Sequence, residues 1–308
     1  MVAIFTGFSW LSKSSKLEHP ESMLIATCTS LLTSLVFALS NSMMKIMRLP
    51  NYLIWPLVFT GQLLATSLLA WHLLAQINFA YPTGYKLLDL DEHIAEFAPL
   101  NRHIHGFEFT RPADHWNLFA QITDAVQHDG KGLENISFSL PDNKKIPLMH
   151  SAEIIHLQDV SHLINKFYVA GCAGAIIWII FFVIAYRQKL AFPRPRNIVF
   201  GFCGGIFIIT IAILAIGATK VFYWLHTKVF PEGHQWFFYY EDSLMTTLMK
   251  APDIFAFIAM LLLVALIIIW GISTFAMARA LKNNRTSTTA SENSYPIKPR
   301  SERKSKRR

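Results

Sequence analysis

The sequence contains few cysteines, and its body carries almost no net charge. Only three cysteines occur among 308 residues, and each lies in a hydrophobic stretch: Cys28, Cys172 and Cys203. This placement excludes a disulfide framework and a cysteine-based metal motif. The net charge of +8 is accounted for by residues 279–308, which contain ten Lys or Arg and two Glu. Because the remainder is neutral overall, no nucleic-acid-binding surface is indicated.

Hydrophobic residues are abundant instead. They form 53% of the chain, and the mean hydropathy is +0.34, values typical of a multi-spanning membrane protein. About twenty apolar residues cross a bilayer. The predicted transmembrane helices are 51–77, 166–186, 198–218 and 253–277. A further candidate, 23–42, is rich in Ser and Thr and is compatible with an extra span, an interfacial helix or a signal-like segment; residues 1–50 are therefore treated as an N-terminal extension or extra segment.

The positive charges predict the orientation of the spans. Lys and Arg without acids occupy 187–196, and more follow the last span, so both segments are predicted to be cytoplasmic. Residues 78–165 then form an extracytoplasmic domain, 219–252 an extracytoplasmic loop and 278–308 a basic cytoplasmic tail. The predicted fold is an α-helical integral membrane protein, a four-span helical bundle with a small extracytoplasmic domain between spans 1 and 2. It is expected in the cell inner (cytoplasmic) membrane, in contact with membrane lipids.

Two local patterns stand out in the domain between spans 1 and 2. "ISFSLPDNKKIPLMH" alternates apolar and polar residues around a Pro-Asp-Asn turn, which predicts a β-hairpin. "ADHWNLFAQITDAVQHDGKG" predicts a helix that begins near Ala113 and stops at Gly130. The domain is therefore expected to be α+β or mostly helical.

A row of ionisable residues precedes the second span, in "EIIHLQDV". On a helix Glu153, His156 and Asp159 share one face, and Asp159 could orient the imidazole. Such rows are more often solvated faces than catalytic ones. The loop after the third span also carries a histidine, His226, and twenty-residue spans would leave it and His156 at nearly equal heights, roughly 12–15 Å above the hydrocarbon. Titratable groups that converge at one level favour an active site.

The remaining candidates have plainer interpretations. His234 is interpreted as a loop residue, and His72 as a polar group near a span's outer end whose side chain reaches toward the interface. The aromatic residues Trp224 and 236–240 could form an interfacial belt or wall an acyl-chain groove. Six further histidines are treated as surface residues: His93, His103, His105, His115, His128 and His150.

Two segments resemble a known family, the bacterial lipoprotein intramolecular transacylases (Lit). The stretch 153–160 resembles its E-x-x-H-M-x-D-V signature. The stretch 226–255 is similar to its second signature, which contains a histidine, then Phe, Trp, D-x-L, and a Pro followed by aromatics. In this sequence those positions are occupied by His226, Phe230, Trp236, Asp242 with Leu244, and Pro252 with Phe255. The resemblance covers roughly residues 50–280 and implies four spans with an extracytoplasmic domain after the first.

The resemblance also implies a reaction. In this family an O-linked acyl chain of a diacylglyceryl-modified lipoprotein moves to the α-amine of its N-terminal cysteine, which gives an N-acyl lyso-lipoprotein. The implied catalytic residues are His156 as base and His226 as acid or oxyanion donor, or the reverse, with Asp159 as the residue that orients an imidazole. Glu153, Trp236 and Asp242 would support them. No cofactor or metal is expected, and diacylglyceryl-modified lipoproteins are the expected partners.

Two other functions are considered. Glu-x-x-His on a helix is a known metal-ligand spacing, so a metal-dependent membrane hydrolase is one alternative. A non-enzymatic membrane sensor or scaffold is the other, and it predicts that His156 and His226 are dispensable.

Overall fold

The computed structural model describes residues 51–293, apart from the side chains at 51, 52, 218 and 287–293. The predicted N-terminal segment 1–50 and the tail residues 294–308 lie outside this range. Nine helices occur within it: α1 (Asn51–Ala75), α2 (Tyr81–Leu87), α3 (Leu90–Phe97), α4 (Pro112–Gln127), α5 (Ser151–Arg187), α6 (Pro195–Ile216), α7 (Ala218–Val229), α8 (Leu244–Met249) and α9 (Asp253–Asn293). Two strands, β1 (Ser137–Ser139) and β2 (Lys145–Pro147), and four 3₁₀ turns complete it.

Four of these helices are long and apolar enough to cross a membrane. The qualifying stretches are Leu53–Ala75, Ser151–Arg187, Pro195–Ile216 and Asp253–Thr286. Each overlaps a predicted span, so the sequence correctly predicted four helices long and apolar enough to cross a membrane. Together with the composition, this makes the chain a mostly helical, multi-pass membrane protein.

Two of the spanning helices continue beyond their predicted ends. Helix α5 has 37 residues and would measure about 55 Å, whereas the hydrocarbon layer is about 30 Å thick. Its first turns therefore include residues that the sequence assigned to the domain 78–165. Helix α9 likewise runs on to Asn293, so the first part of the predicted tail is helical.

Helices α1, α5 and α9 pack against one another through small residues and one buried amide. A Cβ atom on Gly61 of α1 would lie 2.7 Å from the carbonyl oxygen of Gly174 and 2.7 Å from the amide nitrogen of Trp178, both on α5. Gln62 is fully buried, and its amide donates to the hydroxyls of Ser273 at 2.7 Å and Thr274 at 2.8 Å on α9. Close backbone approach and interhelical hydrogen bonds are the usual means of helix association in lipid.

Helix α6 differs from the other three because it buries none of its residues. Most of its apolar side chains are exposed, as expected of a helix whose solvent is the bilayer, and Ile198, Phe202 and Ile206 are half-buried. The ring of Phe202 stacks on Trp270 of α9, with centroids 4.5 Å apart. At its end Gly217 has φ +99°, and this left-handed residue separates α6 from α7.

The segment between α1 and α5 folds as predicted. Strand β1 pairs antiparallel with β2, with Phe138 opposite Ile146, which confirms the hairpin. Helix α4 begins at Pro112 and ends at Gln127, which confirms the helix expected there. Their apolar faces share one core with α2, α3, α8 and the start of α9, so a small, mostly helical unit is built directly on α1 and α5.

Two histidines interpreted as surface residues are buried in this core, and that interpretation is wrong for them. His93 is 7% exposed and His115 is 4% exposed. The ring nitrogens of His115 bond to the Tyr85 hydroxyl at 2.9 Å and to the Thr110 hydroxyl at 2.7 Å. Because Thr110 donates its own proton to the carbonyl of Phe107, His115 Nε2 must donate and its Nδ1 must accept from Tyr85. The neutral imidazole therefore satisfies every group of this network.

This network predicts a loss of stability in mild acid. Burial lowers the pKa of His115 from 6.5 to about 4, so between these values the unfolded chain binds a proton that the folded chain does not. Stability that is present above pH 6.5 should fall as the pH drops toward 4, by up to about 3 kcal/mol from this residue. Thermal unfolding in detergent at pH 7 and pH 4.5 measures the loss. A His115→Gln variant, which does not titrate, should show a smaller difference between the two pH values; an equal difference would contradict the assignment.

Candidate active site

Glu153 is fully buried at the start of α5, where it joins three segments of the chain. One carboxylate oxygen, Oε2, accepts from the backbone N–H of His150 at 2.8 Å and so caps the helix. The other, Oε1, accepts from the hydroxyl of Ser243, which itself accepts from the N–H of Thr246 at the start of α8. Glu153 therefore fixes the loop after α7 to the beginning of α5.

Asp242, the neighbour of Ser243, extends this attachment to the loop after α3. Its carboxylate pairs with Arg102 at 3.2 Å and with His103 at 3.6 Å. Its backbone carbonyl accepts from His150 Nε2 at 3.2 Å. The contacts of Asp242 thus hold the loop after α7 in place. The ring of Phe238 lies between the two histidines of α5 and its N-cap, with its centroid 6.1 Å from the imidazole of His150 and 6.0 Å from that of His156.

His156 and His226 meet on a single aromatic ring. The centroid of Phe230 lies 4.9 Å from the imidazole of His156 and 5.3 Å from that of His226. His156 projects from α5, one turn beyond Glu153, while His226 lies in the last turn of α7 and Phe230 directly follows that helix. Two imidazoles separated by 70 residues in sequence therefore share one neighbour.

The orientation of His226 is set by its own helix and by Trp236. Its Nδ1 lies 2.8 Å from the carbonyl oxygen of Phe222, and since a carbonyl only accepts, Nδ1 carries the proton. This leaves Nε2 as the nitrogen that can exchange a proton with a substrate. The indole of Trp236 packs against the imidazole at a centroid distance of 4.8 Å, so the predicted supporting role of Trp236 corresponds to a direct ring contact.

Asp159 has a different partner from the one that the sequence suggested. Its Oδ2 accepts from Nδ1 of His234 at 2.6 Å, a bond between α5 and the loop after α7. Among the described residues, no hydrogen bond joins Asp159 to His156, although both project from α5. The interpretation of His234 as a plain loop residue missed this contact. The signal in the sequence was the preceding Pro-Glu-Gly, a turn sequence that can direct the next side chain inward.

The six candidate residues thus divide by position. His156 and His226 pack on Phe230, Trp236 packs on His226, and Asp159 bonds to the loop that carries Phe230. Glu153 and Asp242 attach the later part of the same loop, Glu153 through Ser243 and Asp242 through Arg102. Within residues 51–293, no group of three or more His, Cys, Asp or Glu side chains is arranged to hold a metal ion.

The family comparison falls on this part of the chain. The family model described as "Lipoprotein intramolecular transacylase Lit" matches residues 131–255, a range that contains all six candidate residues. No curated protein and no solved structure matches the chain. Residues 131–255 of this chain are thus similar to the Lit family, the lipoprotein intramolecular transacylases, which are acyltransferases.

Proposed function

We propose that this protein moves an O-linked acyl chain of a diacylglyceryl lipoprotein to the α-amine of the same lipoprotein's N-terminal cysteine, giving an N-acyl lyso-lipoprotein. The observation that carries this proposal is the packing of His156 and His226 on Phe230, inside the segment that matches the family. Acyl transfer from an ester oxygen to an amine nitrogen needs one group that takes a proton and one that gives a proton, and two imidazoles on one ring can fill these two roles.

The bonds and protons balance without a co-reactant. The cysteine α-amine attacks the ester carbonyl carbon while His156 takes a proton from the nitrogen. A carbon–nitrogen bond forms, the ester carbon–oxygen bond breaks, and the glycerol oxygen receives a proton from His226. The contact between Nδ1 of His226 and the carbonyl of Phe222 supports Nε2 as the atom that delivers this proton. Because amine and ester belong to one molecule, the site has only to bring them together.

The site is proposed to face the extracytoplasmic side of the inner membrane. The connection between α5 and α6 contains Arg187, Lys189, Arg194 and Arg196 without an acidic residue, which favours the cytoplasmic side. His156 and His226 lie toward the opposite ends of the α5 and α6–α7 segments. Substrates that enter from the outer leaflet, with their acyl chains in the bilayer, would meet the two imidazoles there.

The proposal is tested by lipid analysis of lipoproteins in cells. The chain is expressed in a strain whose lipoproteins stop at the diacylglyceryl stage, and N-terminal lipopeptides are examined by tandem mass spectrometry. The parent mass should not change because the transfer is internal. Fragments should instead show an acylated cysteine nitrogen and a monoacylglyceryl thioether, and the α-amine should no longer react with amine reagents. Diacylglyceryl fragments with a free amine, in cells that contain the inserted protein, would refute the proposal.

A further inference from the structure

We propose that His234 is a positioning residue for the reaction, acting through its bond to Asp159. The bond holds the tip segment, residues 230–237, against α5, and thereby keeps Phe230 and Trp236 in contact with the two catalytic histidines. This inference rests on the proposed function and adds to it a residue that lies outside the family signatures described above.

The local structure directs His234 toward α5. Residues 231–234 form a turn in which the N–H of His234 bonds to the carbonyl of Pro231 at 3.3 Å. Gly233 has φ +87°, a left-handed conformation that glycine adopts at no steric cost. The imidazole that follows this glycine is 41% exposed, whereas the Asp159 carboxylate that it reaches is only 13% exposed. The short 2.6 Å contact is therefore made at the surface of α5 rather than in open solvent.

The two ends of the loop after α7 are attached to the protein by different contacts. The far end is fixed by the bonds of Glu153 to Ser243 and of Arg102 to Asp242. Among residues 51–293, the only polar side-chain bond between the tip segment and α5 is that of His234 to Asp159. The remaining contacts of the tip with the site are ring contacts, chiefly those of Phe230 and Trp236.

These ring contacts give the tip segment its effect on the reaction. Phe230 touches both imidazoles, and Trp236 touches His226. Without the bond to Asp159, no polar side-chain bond would hold these rings in position against α5, and neither histidine would have a ring neighbour in a fixed position. Small displacements of catalytic groups lower the rate strongly, while the acyl chains of the substrate would still bind among the spans. The expected consequence is a fall in kcat with little change in KM.

The kinetic test uses variants of the full-length protein with a diacylglyceryl lipopeptide in detergent or vesicles. His234→Ala should lower kcat between about 10- and 100-fold and leave KM within about twofold. His234→Gln, whose amide can still donate to Asp159, should recover much of the loss. The double variant Asp159→Ala/His234→Ala should be no slower than Asp159→Ala alone, because His234 acts only through that carboxylate. Glu232→Gln, on the same turn, is the matched control and should behave as wild type.

Hydrogen–deuterium exchange tests the attachment without reference to activity. His234→Ala should accelerate exchange in residues 230–237 and leave residues 244–249 unchanged. Wild-type kcat in His234→Ala, or a His234→Gln variant as slow as His234→Ala, would overturn the inference, and so would unaltered exchange in the tip segment. A wild-type protein that leaves the lipopeptide unchanged would instead overturn the proposed function, and the exchange result would still decide whether His234 holds the tip.

Discussion

Replacing His156 with alanine should reduce acyl transfer by at least about 100-fold, and replacing His226 should do the same. General acid or base catalysis by one positioned side chain contributes about 10²–10⁴-fold to a rate, and in the proposed mechanism each imidazole handles a different proton. The measurement is the rate at which the lipopeptide α-amine disappears, with variant and wild-type protein inserted at equal levels. Because His156 and His226 share the ring of Phe230, the two losses should not add in the double variant.

His162 provides the matched control for this prediction. It lies on α5, six residues after His156, and its side chain is exposed. His162→Ala removes an imidazole from the same helix without touching Phe230 or Phe238, so activity should remain near the wild-type value. Retention of acyl transfer in His156→Ala and in His226→Ala would rule out their proposed roles in the reaction.

Gly61→Ala should give a large loss of stability for the addition of a single methyl group. The added Cβ would lie 2.7 Å from two backbone atoms of α5, which cannot move aside as the end of a flexible side chain can. Helices α1 and α5 would have to separate, at a cost of roughly 1–3 kcal/mol by analogy with overpacked cores. The melting temperature in detergent should fall by several degrees.

Gly271→Ala tests the same change where there is room. No atom lies within 4 Å of the Cβ position at Gly271 on α9, so this variant should be neutral or more stable by roughly 0.5–1 kcal/mol, because alanine favours the helix over glycine. Equal destabilisation by both substitutions would contradict the prediction, because only Gly61 has the close contact between α1 and α5 to lose.

The candidate site was partly predictable because motif and periodicity are local properties. The spacing of Glu153, His156 and Asp159 places them on one helical face whatever the rest of the chain does. The partners of those residues were not predictable in this way. Glu153 bonds to Ser243 and Asp159 to His234, contacts that join residues 75 to 90 positions apart, and neighbouring residues in sequence offered equally suitable charges.

The buried histidines illustrate the same limit. Nothing in the sequence around His115 distinguishes it from an exposed residue of an amphipathic helix. Its burial depends on the hydroxyls of Tyr85 and Thr110, which satisfy both ring nitrogens and so remove the cost of burying a polar group. The amide nitrogen of Gln62 likewise depends on hydroxyls supplied by α9, whereas its buried Oε1 has no hydrogen-bond partner among the described residues.

Within residues 51–293, the sequence by itself determined which four helices are long and apolar enough to cross a membrane, because bilayer thickness sets the required length and composition of each. It also predicted the two histidines and the similarity to the Lit family through short local signatures. Only the tertiary structure decided which groups those residues touch: the shared ring of Phe230, the bond between Asp159 and His234, and the burial of Glu153. The physical reason is that hydrogen bonds and ring contacts act over a few ångströms, so they depend on how distant segments are brought together, which no local pattern specifies.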